Sequence, residues 1–219
     1  MSRIGGVLGL AVATAMVVAI GVTPGKASAD DVRSLPEPRV QGGMPLMEAL
    51  AERRSTRAFA DRELDEQQLA DLLWAAFGVN RPDADGRTAP SWRGSKETDI
   101  HVARSDGVWV YAPEVNELRR VSEADIRQDA GRQPFTGQAP IVLIYVADRT
   151  RMAEAPTDDQ YRYAHVDAAL IAQNVYLFAA SEGLGTVVLG NVDKATLEEI
   201  LDLPDEQFVT FAQPVGHPN

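Results

Sequence analysis

The sequence predicts an α+β domain, and three stretches carry the prediction. From Tyr161 to Ala180, the residues His165, Ala168, Ala169, Ala172, Val175, Tyr176 and Ala179 recur at intervals of three and four, the period of a helix. Ile171, Leu177 and Phe178 fill most of its other side. A helix apolar nearly all round is buried on several sides, at a domain centre or in a subunit interface. Asp99 to Ala112 reads as a β-hairpin, in which Ile100, Val102 and Ala103 are answered by Val108 to Tyr111 across an Asp106-Gly107 turn. The run Ile141-Val142-Leu143-Ile144-Tyr145-Val146 is continuously apolar, as a central strand is.

Taken in order, the chain opens with Arg3, an apolar run from about Val7 to Val22 and the small-residue site Ala27-Ser28-Ala29. This pattern predicts a secretory signal peptide over residues 1–29 and hence an exported protein, periplasmic or secreted. The competing reading is an uncleaved anchor, although Gly21 and Pro24 interrupt a run already short for a membrane span. Residues 30–43, with Pro36, Pro38 and a Gly-Gly pair, read as an extended linker, and residues 44–219 form the domain. Met44 to Arg53 predicts a first helix with Pro45 at an early position and Leu46, Ala49 and Leu50 on one face. Asp65 to Phe77 predicts a second, capped by Asp65, striped by Leu69, Leu72, Leu73, Ala76 and Phe77, and closed by Gly78.

Asn80 to Ser95 reads as a long loop carrying Arg81, Arg87, Trp92 and Arg93, and loops of that length in compact domains tend to carry function. Ser122 to Ala130 predicts a short helix, and Arg149 to Asp159 a polar connection into the long one. Gly183 suits the left-handed position that ends a helix, and the β-branched run Thr186 to Leu189 reads as a strand leaving it. Lys194 to Leu201 predicts a helix capped by Asp193, and Phe208 to Ala212 a last strand.

Composition narrows the chemistry. There is no cysteine, which removes disulfides, thiol nucleophiles and thiolate metal clusters. The formal net charge is −11, and loss of the leader with Arg3 and Lys26 takes it to about −13. So acidic a domain is a poor ligand for nucleic acid or anionic membrane. The three histidines, His101, His165 and His217, are scattered and read as structural, so no metal site is expected. Positive charge that matters must therefore be local, and Arg53-Arg54-Ser55-Thr56-Arg57 concentrates three guanidiniums beside two hydroxyls. That cluster is either a solvated helix end balancing the helix dipole or an anion site, since guanidinium grips phosphate bidentately. The glycines at 183, 185 and 190 are not a dinucleotide fingerprint, because their order is helix, glycines, strand instead of strand, glycines, helix. Such a turn does let backbone amides approach a ligand closely.

Together these landmarks resemble the nitroreductase family of FMN-dependent oxidoreductases, from about Pro45 to Pro218. The resemblance is carried by ERRSTRAF at 52–59, RTAPSWRGSKETDIHV at 87–102, QNVYLFAASEGLGTVVLGNVD at 173–193 and a terminal PVGHP at 214–218. It implies a three-layer α/β/α sandwich with a mostly antiparallel central sheet, paired as a homodimer with the long helix at the interface. Arg53, Arg54, Ser55 and Arg57 resemble the loop that holds the FMN phosphate and ribityl chain. Pro90, Ser91, Trp92 and Gly94 resemble the loop beside the flavin ring, usually contributed across the dimer. Glu182 and Gly183 resemble the pair on the far face, the Gly183 amide reaching N5, with Leu184 and Gly185 completing the turn. The implied activity is oxidoreduction of a small, flat, conjugated substrate such as a nitroaromatic or quinone. An exported enzyme would need a reductant other than cytosolic NADH or NADPH. The alternative is an exported, non-catalytic binder of flavin or another aromatic ligand with the same fold. Two positions depart from the family pattern: Gly94 stands where many members have asparagine, and Asn219 stands where many have basic residues.

Overall fold

A computed structural model describes residues 31–219, so the expected signal peptide lies outside the described residues. Its centre is a seven-stranded sheet in the order β1-β6-β5-β4-β7-β9-β8. The strands are β1 (Val32–Ser34), β4 (Thr98–Arg104), β5 (Gly107–Ala112), β6 (Glu117–Ser122), β7 (Ile141–Asp148), β8 (Gly185–Thr186) and β9 (Gln207–Gly216). Every ladder between them is antiparallel. A separate short hairpin joins β2 (Val79–Arg81) to β3 (Gly86–Arg87).

Both faces of the sheet are covered, which is why β7 is apolar without alternation. Its Leu143 and Tyr145 point to one side, packed with Leu69, Leu72 and Leu73 of helix α2 (Glu66–Phe77) and Ile171 and Val175 of helix α3 (Thr157–Ser181). Val142, Ile144 and Val146 point to the other side, against Leu197 of helix α4 (Lys194–Ile200) and the irregular segment that carries Ile126 and Ala130. The fold is therefore α+β in three layers, with helix α1 (Leu46–Glu52) lying on α3 at the edge of the first layer.

Local chemistry explains the termini. The Asp65 carboxylate accepts from the Gln68 amide at 2.7 Å while the Gln68 side chain accepts from the Asp65 amide at 3.2 Å, a reciprocal cap that starts α2. At the far end of α3, Gly183 takes φ +67°, and the Leu184 amide reaches back to the Ala179 carbonyl at 2.8 Å. This is the left-handed closure that glycine accepts without strain.

Four expectations are corrected. The residues from Ser122 to Ala130 are not a helix: Ser122 ends β6, its hydroxyl accepts from the Ala124 amide, and Asp125 accepts from the Arg127 amide and guanidinium. Those side chains offer the backbone local bonds that compete with a helix. The loop from Asn80 to Ser95 begins as the β2–β3 hairpin. The strand expected over Thr186 to Leu189 shrinks to the two residues of β8 and a single bridge from Leu189 to Ala212. The arm at 30–43 is extended but not free. Its β1 pairs with β6, and Asp71 of α2 accepts both the amide and the Nε of Arg39 at 2.7 Å.

Candidate active site

The arginine segment leaves α1 at Arg53 and runs directly beside the glycine turn. The Thr56 amide donates to the Thr186 carbonyl at 2.9 Å, and Ser55 and Thr186 form a parallel bridge. The approach is close enough that a Cβ on Gly185 would sit 2.6 Å from the Thr56 side chain. Glycine at 185 is therefore what allows the two segments to touch. The chain terminus packs alongside: the Ala60 amide donates to the His217 carbonyl at 2.8 Å, and Phe59 bridges Pro218.

Tyr176 of α3 fastens this junction. Its hydroxyl lies 3.0 Å from Ser55 Oγ and accepts the Val188 amide at 3.0 Å, while the Arg53 guanidinium stacks over its ring at 5.3 Å. Sequence reading counted Tyr176 among the buried face of the helix. The signal that could have found it is the phenol itself, which seeks a hydrogen-bond partner when its ring is half-buried.

Two clefts flank α1. One, of about 410 Å³, is lined by Met44, Arg54, Thr56, Tyr176, Gly183 and Leu184 among others. The second, of about 480 Å³, is lined by Trp74, Asn174, Leu177, Phe178, Ser181 and Glu182 among others. Glu182 and Gly183 thus face adjoining cavities. Nothing lies within 4 Å of where a Gly183 Cβ would stand, so the turn presents an open, flat backbone surface. Arg54 and Arg57 are exposed and Arg53 half-buried. Among the described residues none of the three has a carboxylate partner, whereas Arg33, Arg39, Arg87, Arg104, Arg127 and Arg151 are all paired. Three guanidiniums without a carboxylate partner thus lie within five residues of a chain of net charge −11.

The remaining expected residues lie elsewhere in the same chain. Pro90, Ser91, Trp92 and Gly94 sit on a tight loop at the opposite end of α3, where the Trp92 amide donates to Asp167 at 2.6 Å and its ring packs on Tyr163 at 6.1 Å. Asp167 and Gly183 are sixteen positions apart, a separation of about 24 Å along a helix. Within one chain, then, the segment that carries Arg53, Arg54, Ser55 and Arg57 runs beside the turn that carries Glu182, Gly183, Leu184 and Gly185, touching it at Ser55 and Thr56. Arg54 shares a cleft with Gly183 and Leu184, whereas the Pro90–Gly94 loop packs elsewhere. Sequence reading also passed over Asp167 and Glu97, both buried beneath that loop. Burial, and then the neighbouring Glu97, push the Asp167 carboxyl up to about 7. The signal was a carboxylate in the middle of an otherwise apolar stretch, Val166-Asp167-Ala168-Ala169. Among the described residues no cluster of histidine and carboxylates is arranged to hold a metal.

Comparison with known proteins shows the family to which the chain belongs. The Nitroreductase family profile matches residues 50–217. A Methanocaldococcus jannaschii protein bearing the nitroreductase name is 34% identical over 182 residues, covering 78% of this chain and 90% of that one. The FMN reductase [NAD(P)H] of Bacillus subtilis is 25% identical over 187 residues, covering 79% of this chain but 66% of the relative's length. The crystal structure of a Ralstonia eutropha protein, also under the nitroreductase name, superposes with a TM-score of 0.83 at 39% identity, covering 91% of this chain and 96% of its own. The family match spans the arginine segment, the glycine turn and the sheet that joins them, and the chain belongs to the nitroreductase family.

Proposed function

We propose that this protein is an FMN-dependent oxidoreductase acting as a homodimer on small, flat, conjugated molecules. The observation that supports the reading is that the backbone of the segment carrying Arg53, Arg54 and Arg57 lies against the glycine turn, joined by the Thr56–Thr186 hydrogen bond and by Tyr176, with Arg54 and Gly183 lining one cleft. The residues present fit the cofactor. Arg53, Arg54 and Arg57 with Ser55 would hold the dianionic phosphate through charge-assisted bonds. The space above Gly183 would accept a planar ring, with the Gly183 amide as donor to it. When bound, FMN supplies the hydride chemistry, and the protein supplies position, field and exclusion of competing reactions. Arginine near the pyrimidine edge favours the more negative, reduced form.

The length of α3 supports the homodimer reading. The Pro90–Gly94 loop packs on the N-terminal half of α3, at Tyr163 and Asp167, and the glycine turn lies past its C-terminal end, so a two-fold pairing of antiparallel copies would bring the loop of one chain toward the turn of the other. Leu46, Met47 and Leu50 of α1 and Val166 and Leu170 of α3 form an exposed apolar surface for such a pairing. The enzyme is proposed to work outside the cytosol after removal of residues 1–29.

Purified protein should carry or take up FMN, with a visible flavin band bleached by dithionite and restored by a quinone. Arg53→Ala with Arg57→Ala should weaken FMN binding by about 3 kcal/mol or more, roughly a hundredfold. Because neither arginine has a carboxylate partner and Arg53 loses only its stacking on Tyr176, apo stability should fall by no more than about 1 kcal/mol. Wild-type protein that stays colourless at micromolar FMN would refute the reading.

A further inference from the structure

Beneath the Pro90–Gly94 loop lie two carboxyls that the chemistry proposed above leaves unused. Glu97 has no exposed surface and Asp167 only 5%. The two carboxyls lie close enough to couple, and one shared proton is favoured there over two ionised groups. Neither forms an ion pair among the described residues; Arg151 acts on Glu97 only through its field, and the positive charges nearby are bound to other groups. Arg151 binds Asp99 at 2.6 Å and the Lys96 carbonyl at 2.9 Å, Lys96 is paired with Asp85, and Arg93 with Glu154 at 3.7 Å. Asp99 and Asp148, both held by Arg151, are the closest other acids. Burying two unpaired negative charges side by side costs several kcal/mol, so the pair retains one proton between them.

The pair also grips the loop at two points. Asp167 Oδ2 accepts the Trp92 amide at 2.6 Å, and Glu97 Oε2 accepts the Ser95 hydroxyl at 2.6 Å. Between those points Arg93 and Gly94 have φ of +48° and +75°, and Lys96 follows at +51°. Left-handed backbone at two non-glycine residues so close together persists only where surrounding contacts over-determine it.

We propose that Asp167 and Glu97 are positioning residues, a one-proton latch that holds the Ser91–Lys96 loop in shape for the cofactor site of the partner subunit, and that loss of this proton releases the loop. The proposal rests on the cofactor reading above for its consequence, but the latch itself lies within one chain. The direction follows from the environment. Burial and the Glu97 charge raise Asp167 to about 7, so the proton is present below that pH and leaves above it. In the dianionic state repulsion drives the carboxyls apart, and the strained loop relaxes. The site should tighten toward acid and loosen toward alkali.

Hydrogen exchange of the 91–96 segment, corrected for intrinsic chemical exchange and followed from pH 6 to 8.5, tests the latch without any cofactor. Wild type should lose roughly tenfold in protection per pH unit above the transition. Asp167→Asn keeps an acceptor for the Trp92 amide and a donor for Glu97, so it should be protected and flat with pH. Asp167→Ala should be unprotected throughout, and Glu97→Gln, which also keeps a singly charged, hydrogen-bonding pair, should match Asp167→Asn. The FMN Kd should follow the same pattern, rising about fivefold between pH 7 and 8 in wild type only. A wild-type profile without pH dependence, or the same alkaline loss in Asp167→Asn and Glu97→Gln, overturns the latch. Pronounced pH-dependent exchange in a protein that takes up no FMN supports the latch and overturns the cofactor reading instead.

Discussion

Replacing Tyr176 by phenylalanine isolates one atom of the junction. The hydroxyl accepts the Val188 amide and shares a hydrogen bond with the Ser55 hydroxyl, both at 3.0 Å, while the ring beneath Arg53 stays. Ser55 is exposed, so its lost bond is replaced by water at little cost. Val188 is half-buried, and its orphaned amide should cost about 1–2 kcal/mol. For a domain of this size that corresponds to a fall in Tm of about 3–6 °C. The arginine segment, freed from one of its two ties to the glycine turn, should also bind FMN about fivefold more weakly, from about 1 kcal/mol of added ordering cost. Differential scanning fluorimetry of the apo protein and titration of flavin fluorescence read the two effects separately. Unchanged Tm and unchanged affinity would refute the view that this hydroxyl joins the segments. Unchanged Tm with a large affinity loss would show that it touches the cofactor instead.

Gly183→Ala places a side chain at φ +67°, costing about 1–2 kcal/mol, and its methyl would meet no protein atom but would project from the surface proposed for the ring. FMN affinity should fall more than stability does, by tenfold or more on titration. Gly94→Asn restores the residue common in the family at a left-handed position with nothing within 4 Å, so stability should hold and affinity should rise by a few-fold for one added hydrogen bond. Burial lowers the His101 pKa to about 4, so the unfolded chain takes up a proton that the folded one refuses as pH falls from 6.5 toward 4, and stability is lost over that window. Denaturant melts at pH 7 and 4.5 should show wild type losing about 2–3 kcal/mol more than His101→Gln. Mass spectrometry of protein expressed with its leader should find a mature N-terminus at Asp30.

The parts of the fold legible in the sequence are those governed by local pattern. The period of α3, the Asp106-Gly107 turn, the unbroken apolar run of β7 and the capping pair of α2 each follow from a few neighbouring residues. The strand β6 was missed because Glu117-Leu118-Arg119-Arg120-Val121-Ser122 buries only one apolar residue fully, and its place is fixed by partners at β1 and β5. Much the same holds for the candidate site. The arginine cluster stood out against an acidic background, and the glycines against a buried helix. Tyr176, Asp167 and Glu97 act through contacts 121, 75 and 2 positions away, with Ser55, Trp92 and Ser95 respectively, and the two long spans are set by the packing of α3 against distant loops.

The 25-residue span of α3 has a genetic corollary. In the proposed pair, each reaction centre would draw its anion clamp from one subunit and its covering loop from the other. A variant dead through Arg53 and Arg57 and another dead through Asp167→Ala would fail for complementary reasons. Unfolded and reassembled together, half of the dimers should be hybrids, each with one centre built wholly from intact parts. About a quarter of all centres, and of the turnover, should then return from two inactive preparations.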